Sequence, residues 1–513
     1  MAPAWLTRLA TESGLTSVVH CSSDVWLLIV LRFVRLFAYG ASFLVLVPLL
    51  AGLGIADARI GLFMTLTLLG DTAISVLLAA VTDRVGRRRI LAVGAMLMAA
   101  SGAVFAISSS FWVLLLASIV GVISPSGNEI GPFRAIEESV LAHLTEPALR
   151  SDVFAWYTLS GTAGAALGSL TGGCLVQLLE DRGDGSSSSS QLAYRAVFFV
   201  YAAVGVLKLL LTLGLSPAVE LEEQEEEAVV SPSANNAVQS QGVDSLSEPG
   251  ERTSLLPKVD NEEADSRAGG GDFAAVSASS ASSASSSPAL AASSPPKPSI
   301  LKRLRLLFPV ISAESRRILS RLILLFALDS FGSGMASASW ITYFFITVHS
   351  LAPAVLGTLF LVTSILAAVS NLLALPLARR LGPLRTMVFT HLPSTILLAM
   401  VPLPSPSQRG GTTLAMAFLA LRSCTQSMDQ APRQAFLAAA VLPAERTAVM
   451  GAVNMVKTLM QAAGVGVSGV LAGKHHWILL LSGAGALKAT YDLLLLWSFT
   501  HLQSRGDRPA GGR

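Results

Sequence analysis

Apolar residues in this chain neither alternate with polar ones nor sit on narrow stripes; they run on. Stretches of about twenty recur at about 26–50, 60–81, 90–109, 111–132, 152–178 and 192–214. They resume at about 319–347, 354–378, 384–403, 412–438, 447–472 and 477–500. A bilayer core about 30 Å thick takes about 20 apolar residues in a helix. The pattern therefore predicts twelve membrane spans, six on each side of a polar interval. Membrane β-strands would alternate over about ten residues, and none of these runs does. The first run begins at Trp26 and is too long for a cleavable signal peptide. The expected fold class is an all-α integral membrane protein of two six-helix bundles.

The polar interval divides the chain. The expected parts are an N-terminal segment 1–25, a first bundle 26–215, a linker 216–315, a second bundle 316–500 and a tail 501–513. The linker opens on an acidic run around Glu220–Glu227 and continues as Ser/Ala/Pro-rich sequence at 277–298. Such composition buries too little apolar surface to offset chain entropy, which predicts disorder. Within it, Glu251-Arg-Thr-Ser-Leu255-Leu256 resembles the acidic dileucine sorting signal of lysosomal and vacuolar membrane proteins, which implies a sorting adaptor as partner. A pattern this short also arises by chance in a linker containing Glu and Leu.

Composition agrees. The chain is 52% hydrophobic and 13% charged, with a mean hydropathy of +0.61. Soluble domains carry about 25% charged residues, so an ordinary soluble enzyme is excluded. The net charge of +3 hides an acidic linker set in a basic body. If the N-terminus is cytoplasmic, the inner loops hold Arg84, Arg87, Arg88, Arg89, Lys302, Arg303, Arg305, Arg316, Arg317, Arg379, Arg380 and Arg385. The outer loops then hold Arg59, Arg182, Arg409 and Lys474. The positive-inside rule puts both termini and the linker in the cytoplasm. The membrane itself, plasma or vacuolar/lysosome-like, is left open. Cys21, Cys174 and Cys424 lie far apart and suggest neither a disulfide framework nor a metal site. Nucleotide, hydrolase and zinc-protease motifs are missing, so no cofactor, nucleic acid or enzymatic activity is expected.

The halves repeat one another. Gly61 stands 25 residues before Gly86, and Gly357 stands 25 before Gly382. Arg150 precedes Gly168 by 18, as Arg446 precedes Gly464. Glu129-Ile-Gly-Pro132 corresponds to Asp429-Gln-Ala-Pro432. The loop Asp83-Arg84-Val-Gly86-Arg87-Arg88-Arg89 resembles the DRxGRR signature of the major facilitator superfamily, and the twelve spans, the 6+6 split and the long central loop extend the resemblance over the chain. It implies a cytoplasmic latch made of Asp83, Arg84, Gly86, Arg87 and Arg88 that stabilises one alternating-access state. It also implies a cavity lined by the first and seventh helices. Ala79 and Ser118 depart from the family pattern, the latter where an Arg linked to proton coupling is usual.

Charges inside spans cost about 2.5–3.5 kcal/mol at helix centre and need a purpose. Arg422, Gln426, Asp429 and Arg433 share one face of a continuous helix, which makes either a cavity wall or a salt-bridge network. Arg35 and Asp329 are expected at similar depth and could pair across the axis between the halves. Asp71 and Glu129 are buried carboxylates that could carry a proton. Lys488 and Asp492, four residues apart, are expected to satisfy each other. The substrate or proton candidates are thus Arg35, Asp71, Glu129, Asp329, Arg422, Gln426 and Asp429. The function expected is secondary active transport of a small polar solute with protons as a coupling ion. The competing reading is a non-transporting sensor or scaffold that works through its linker.

Overall fold

The computed structural model describes residues 15–19, 21–121, 123, 132–147, 149–184, 186–220, 313–430, 432–433 and 446–506. The regular structure among them is helical throughout. After a short α1 (Leu15–Val19) the first half contains α2 (Ser23–Gly52), α3 (Asp57–Val85), α4 (Arg87–Ile107) and α5 (Phe111–Val120). It continues with α6 (Pro132–Leu144), α7 (Arg150–Arg182) and α8 (Ser187–Leu213). The second half contains α9 (Ala313–Met335), α10 (Ala338–Thr347), α11 (Pro353–Leu381) and α12 (Pro383–Met400). It ends with α13 (Gly411–Ser423), α14 (Arg446–Gly473) and α15 (Trp477–Gly506). The chain is an all-α integral membrane protein of twelve spans in two parallel-related bundles. Helices α5 and α6 belong to the fourth span, α9 and α10 form the seventh, and α13 begins the tenth.

Among the described residues, eight helices are long and apolar enough to cross a bilayer on length and composition. Outward faces are built for lipid, on these helices and on the shorter α5: Trp112, Leu116, Leu210, Leu324 and Trp497 are each more than 60% exposed. Two runs expected to be continuous are broken. The seventh parts at Ala336-Ser337, where Ser337 is extended (ψ 152°) before α10 begins. The tenth leaves α-geometry after Ser423 for turns through Asp429.

Lipid tails are as apolar as leucine, so helices in a membrane associate mainly by close packing, helped by small residues. Helix α2 lies on α7, and its repeat partner α9 lies on α14. A Cβ on Gly40 would stand 2.1 Å from the Ala165 carbonyl oxygen, and one on Gly334 would stand 2.1 Å from that of Gln461. Gly168 and Gly464 meet the Phe37 and Phe331 carbonyls in the same way. These glycines fix the register of each pair. At the turns after α3 and α11, Gly86 (φ +97°) and Gly382 (φ +80°) adopt backbone angles that other residues rarely take.

Asp24 at the start of α2 accepts from the Ser216 backbone N–H at 3.0 Å and from its hydroxyl. The beginning of the linker and the beginning of α2 therefore share one face, here the linker face. The halves meet near the opposite face, through α3 with α14 and α7 with α11. Gly61 packs on Gly469 and Gly173 on the Pro353 carbonyl. The Thr65 hydroxyl donates to the Ala462 carbonyl at 2.9 Å, and the Tyr343 hydroxyl donates to Asp57 at 3.2 Å. Followed back along α14 at the helical period, the face of Ala462 reaches Met455 and Gly451. There the contact is lost: Met455 is 52% exposed and Gly451 has open space beside it. The molecule is sealed far from the linker and parted toward it.

Candidate functional site

Buried charges collect in two clusters, one per half. In the first half, Glu137 on α6 is fully buried and accepts from Arg35 Nη2 at 2.6 Å and from the Tyr157 hydroxyl at 2.7 Å. Lys208 Nζ lies 3.8 Å from its other oxygen, and the Arg32 guanidinium lies 4.2 Å from the centre of the Tyr157 ring. In the second half, Asp329 accepts from Lys488 Nζ at 2.6 Å and from Arg433 Nη1 at 3.0 Å. Arg433 also holds Asp429, and Lys488 donates to the Ser333 hydroxyl at 2.7 Å. His391 joins through Nδ1, 2.9 Å from Asp492, with its Nε2 4.0 Å from Asp329.

The clusters occupy the same places in the repeat. Arg35 and Asp329 each stand five residues before the register glycines Gly40 and Gly334. Glu137 and Arg433 each stand thirteen residues before the arginines that open α7 and α14. Lys208 and Lys488 each follow by three residues a glycine, Gly205 or Gly485, packed against the neighbouring third or ninth span. The lysine is common to both halves, while the acid and the guanidinium have exchanged places. Glu137 and Asp329 are each answered by two cations, which meets the need of a carboxylate removed from water.

The second cluster faces open volume. A cavity of about 560 Å³ is walled mainly by the second half, with Asp329, Asp429, Arg433, Lys488, Lys457 and Arg422 supplying charge. Serine, threonine and glutamine side chains fill the spaces between them, Ser337, Thr363, Gln426 and Gln461 among these. The first half contributes Phe43, Thr162, Ala165 and Ser169, and no charged side chain among the described residues. Such a wall of fixed donors and acceptors suits a polar molecule, because each buried polar group on either side needs a partner.

Of the residues singled out from sequence, Asp329, Arg422, Gln426 and Asp429 come together in this cavity. Arg35 does not pair with Asp329: each is neutralised within its own half, because the repeat supplies a nearer partner of opposite sign. Lys488 and Asp492 do not satisfy each other either; Lys488 reaches Asp329 and Asp492 takes His391. Asp71 is buried, and its Oδ1 has no hydrogen-bond partner among the described residues. It lies outside the cavity wall. Glu129, Glu251, Leu255 and Leu256, and the side chains of Asp83 and Arg84, lie outside what is described. Ser118 is fully buried and shares a hydrogen bond of 2.7 Å with Thr67. A hydroxyl pair thus fills the place where an Arg was expected.

At the signature loop an unforeseen residue appears. Glu220, at the start of the linker, accepts from the backbone N–H of Arg87 at 2.6 Å and of Arg88 at 3.1 Å. It thereby satisfies two of the free donors that every helix start exposes. Glu137, Tyr157 and His391 were also missed. The spacing of Glu137 and Arg433 before Arg150 and Arg446 was the available signal for the first of these, hidden by the match of Glu129 to Asp429.

The sequence profile of the Major Facilitator Superfamily matches residues 27–465. The chain belongs to that superfamily, whose members are transporters rather than enzymes. It is 32% identical over 484 residues to the uncharacterized membrane protein YJR124C of Saccharomyces cerevisiae, covering 94% of this chain and 96% of that one. Solved structures share the fold. A D-xylose–proton symporter superposes with a TM-score of 0.59 at 12% identity, covering 92% of this chain and 97% of that one. The nucleoside transporter NupG superposes with a TM-score of 0.56 at 16% identity, covering 94% and 99%. A bacterial homolog of the human lysosomal transporter Spinster, inward-facing and occupied, gives 0.57 at 14% identity and 94% of each chain.

Proposed function

We propose that this protein is a secondary active transporter that moves a small polar solute by alternating access, with protons as coupling ion. The observation that carries the reading is the polar cavity between two halves that touch near one face and part toward the other. Rocking the halves would close the linker face and open the far one around the same site. The positive-inside distribution of Lys and Arg supports a cytoplasmic linker face, so this state faces inward. Asp83, Arg84, Gly86, Arg87 and Arg88 then form the latch that closes in the opposite state. The neighbours described as sugar–proton and nucleoside carriers are consistent with a polar cargo.

Coupling is assigned to the second cluster. Arg433 is shared between Asp329 on α9 and Asp429 in the tenth span. Protonation of Asp429 would release Arg433 to Asp329 alone and loosen the tie between these spans. The host membrane is plasma or vacuolar/lysosome-like, and the Leu255-Leu256 signal would engage a sorting adaptor. Unchanged localisation of Leu255→Ala/Leu256→Ala would retire that assignment.

The test is uptake by proteoliposomes containing the purified full chain, with labelled sugars, nucleosides and organic acids, under an imposed proton gradient. Saturable accumulation of at least one solute is expected. A protein that moves none of them in either gradient direction is not the transporter described here.

A further inference from the structure

Among the described residues, the charges on the cavity wall do not balance. Asp329 and Asp429 are held by Arg433 and Lys488. His391 is engaged by Asp492. That leaves Arg422 and Lys457, both on the wall and both without an ion pair among the described residues. Among the described residues the Lys457 ammonium meets the aromatic face of Phe326, 5.8 Å from the ring centre, and makes no ion pair within contact distance. Arg422 makes no side-chain hydrogen bond among the described residues. A cation drawn away from water without a counter-charge is costly, so a wall with two of them is incomplete without an anion.

A second observation concerns hydrogen bonding. Ser337 is 3% exposed and lines the cavity, and its buried hydroxyl has no hydrogen-bond partner among the described residues. Ser337 is also the residue before α10, a ten-residue helix whose first N–H groups are left uncapped by its side chain. Helix starts of this kind favour negative charge. Ser337 lies ten residues before Thr347, and Arg422 eleven after Gly411, so both sit about 15–17 Å from the far-face ends of their spans. The Ser427 hydroxyl, also on the wall, is a further buried group without a partner among the described residues.

Resting on the transporter reading, we infer that the solute is an oxyanion, a carboxylate or phosphate ester, whose negative group is taken by Arg422 and Lys457 with Ser337 as donor. Hydroxyl and amide side chains share the remainder of the wall with Phe43, Ile341, Phe360 and Leu419. Arg suits the role because its planar donors match both kinds of oxyanion.

The experiment is thermal unfolding of the full chain in neutral detergent at constant ionic strength. The probes are inorganic phosphate, succinate and glucose 6-phosphate, against glucose and uridine. A bound ligand raises the melting temperature by mass action. At least one anion is expected to do so saturably, with affinity about tenfold weaker in Arg422→Gln and in Lys457→Gln, as the loss of one charge-assisted contact implies. Without ligand, Arg422→Gln should melt no lower than wild type, since no partner is left behind; a structural arginine would not behave so. Arg422→Lys should keep part of the anion response. Equal anion shifts in wild type and both Gln variants overturn the inference. So do shifts by glucose or uridine alone, or no shift from any anion at millimolar concentration. Uptake of a neutral solute in the proteoliposome assay would retire this inference while leaving transport standing; no uptake at all would retire both.

Discussion

Glu137 and Arg433 occupy the same position in the two halves, and each reaches back to the first helix of its own half with opposite charge. Glu137 takes Arg35 at 2.6 Å, and Arg433 takes Asp329 at 3.0 Å. A duplicated bundle has kept an ion pair while exchanging its ends.

Glu137→Gln leaves Arg35 and Lys208 facing a neutral amide inside the first bundle. Removing one member of a buried pair costs about 3–5 kcal/mol, so the melting temperature should fall steeply. Glu137→Gln combined with Arg35→Gln should recover part of the loss. A single variant as stable as wild type would show that the cluster does not hold the bundle together.

Asp429→Asn should abolish the proton-dependent component of transport while leaving the folded protein at normal levels. Transport that keeps its response to an inward proton gradient in a well-expressed variant would pass the coupling role to Glu129 or to Asp71, whose carboxyl is also buried.

The far face is held in part by Tyr343 on α10 donating to Asp57 on α3. Tyr343→Phe removes that bond between halves, worth about 0.5–1.5 kcal/mol. The balance should move toward the far-open state by several-fold, read as faster thiol labelling of a cysteine introduced at Thr65. Unchanged labelling would mean that the glycine contacts alone set the closure.

Much of this was legible in the chain because lipid imposes a coarse rule. Twelve apolar runs and the intervals Gly61–Gly86 and Gly357–Gly382 were enough for the fold and its repeat, since the left-handed turns at Gly86 and Gly382 need glycine. The cavity charges Asp329, Arg422 and Asp429 were visible for a related reason: a charge inside a span stands out. Partners were not. Arg35 and Asp329 looked complementary at similar depth, yet pairing depends on which helix packs beside each, and that is decided by glycine contacts between α2 and α7 and between α9 and α14. Glu137 lies beyond the expected end of the fourth span at about 132, where a charge does not stand out. The break at Ser337 was hidden because small residues extend an apolar run without revealing a change of backbone.

His349, in the turn between α10 and α11, is buried against Phe344 and Phe345, and burial holds its pKa below the ordinary value of 6.5. The unfolded chain therefore takes up the proton first as pH falls. Stability should decline as pH drops through about 6.5 and level off below the lowered value. His349→Gln should flatten this part of the melting profile between about pH 7.5 and 5.5. A slope unchanged by the substitution would assign it to another group.

Glu220→Gln weakens the acceptor of the Arg87 and Arg88 amides, and Glu220→Ala removes it. Loss of a helix-start acceptor costs about 1 kcal/mol. Hydrogen exchange at the first turn of α4 should quicken about fivefold in Glu220→Ala and less in Glu220→Gln. Equal protection in all three proteins would mean that the linker's first residues do not hold the signature loop.

Rocking of the two halves is measured most directly by spin-label distances across each face of the same helix pair. One pair of labels goes on Arg59 and Lys474 at the far-face ends of α3 and α14, the other on Leu77 and Met455 toward the linker face, all exposed positions. Alternating access predicts two populations with opposed changes: when the far-face distance lengthens, the linker-face distance shortens, and a transported solute or a pH step shifts their ratio. A single distance at each face, unmoved by any solute that binds and by pH, would contradict it.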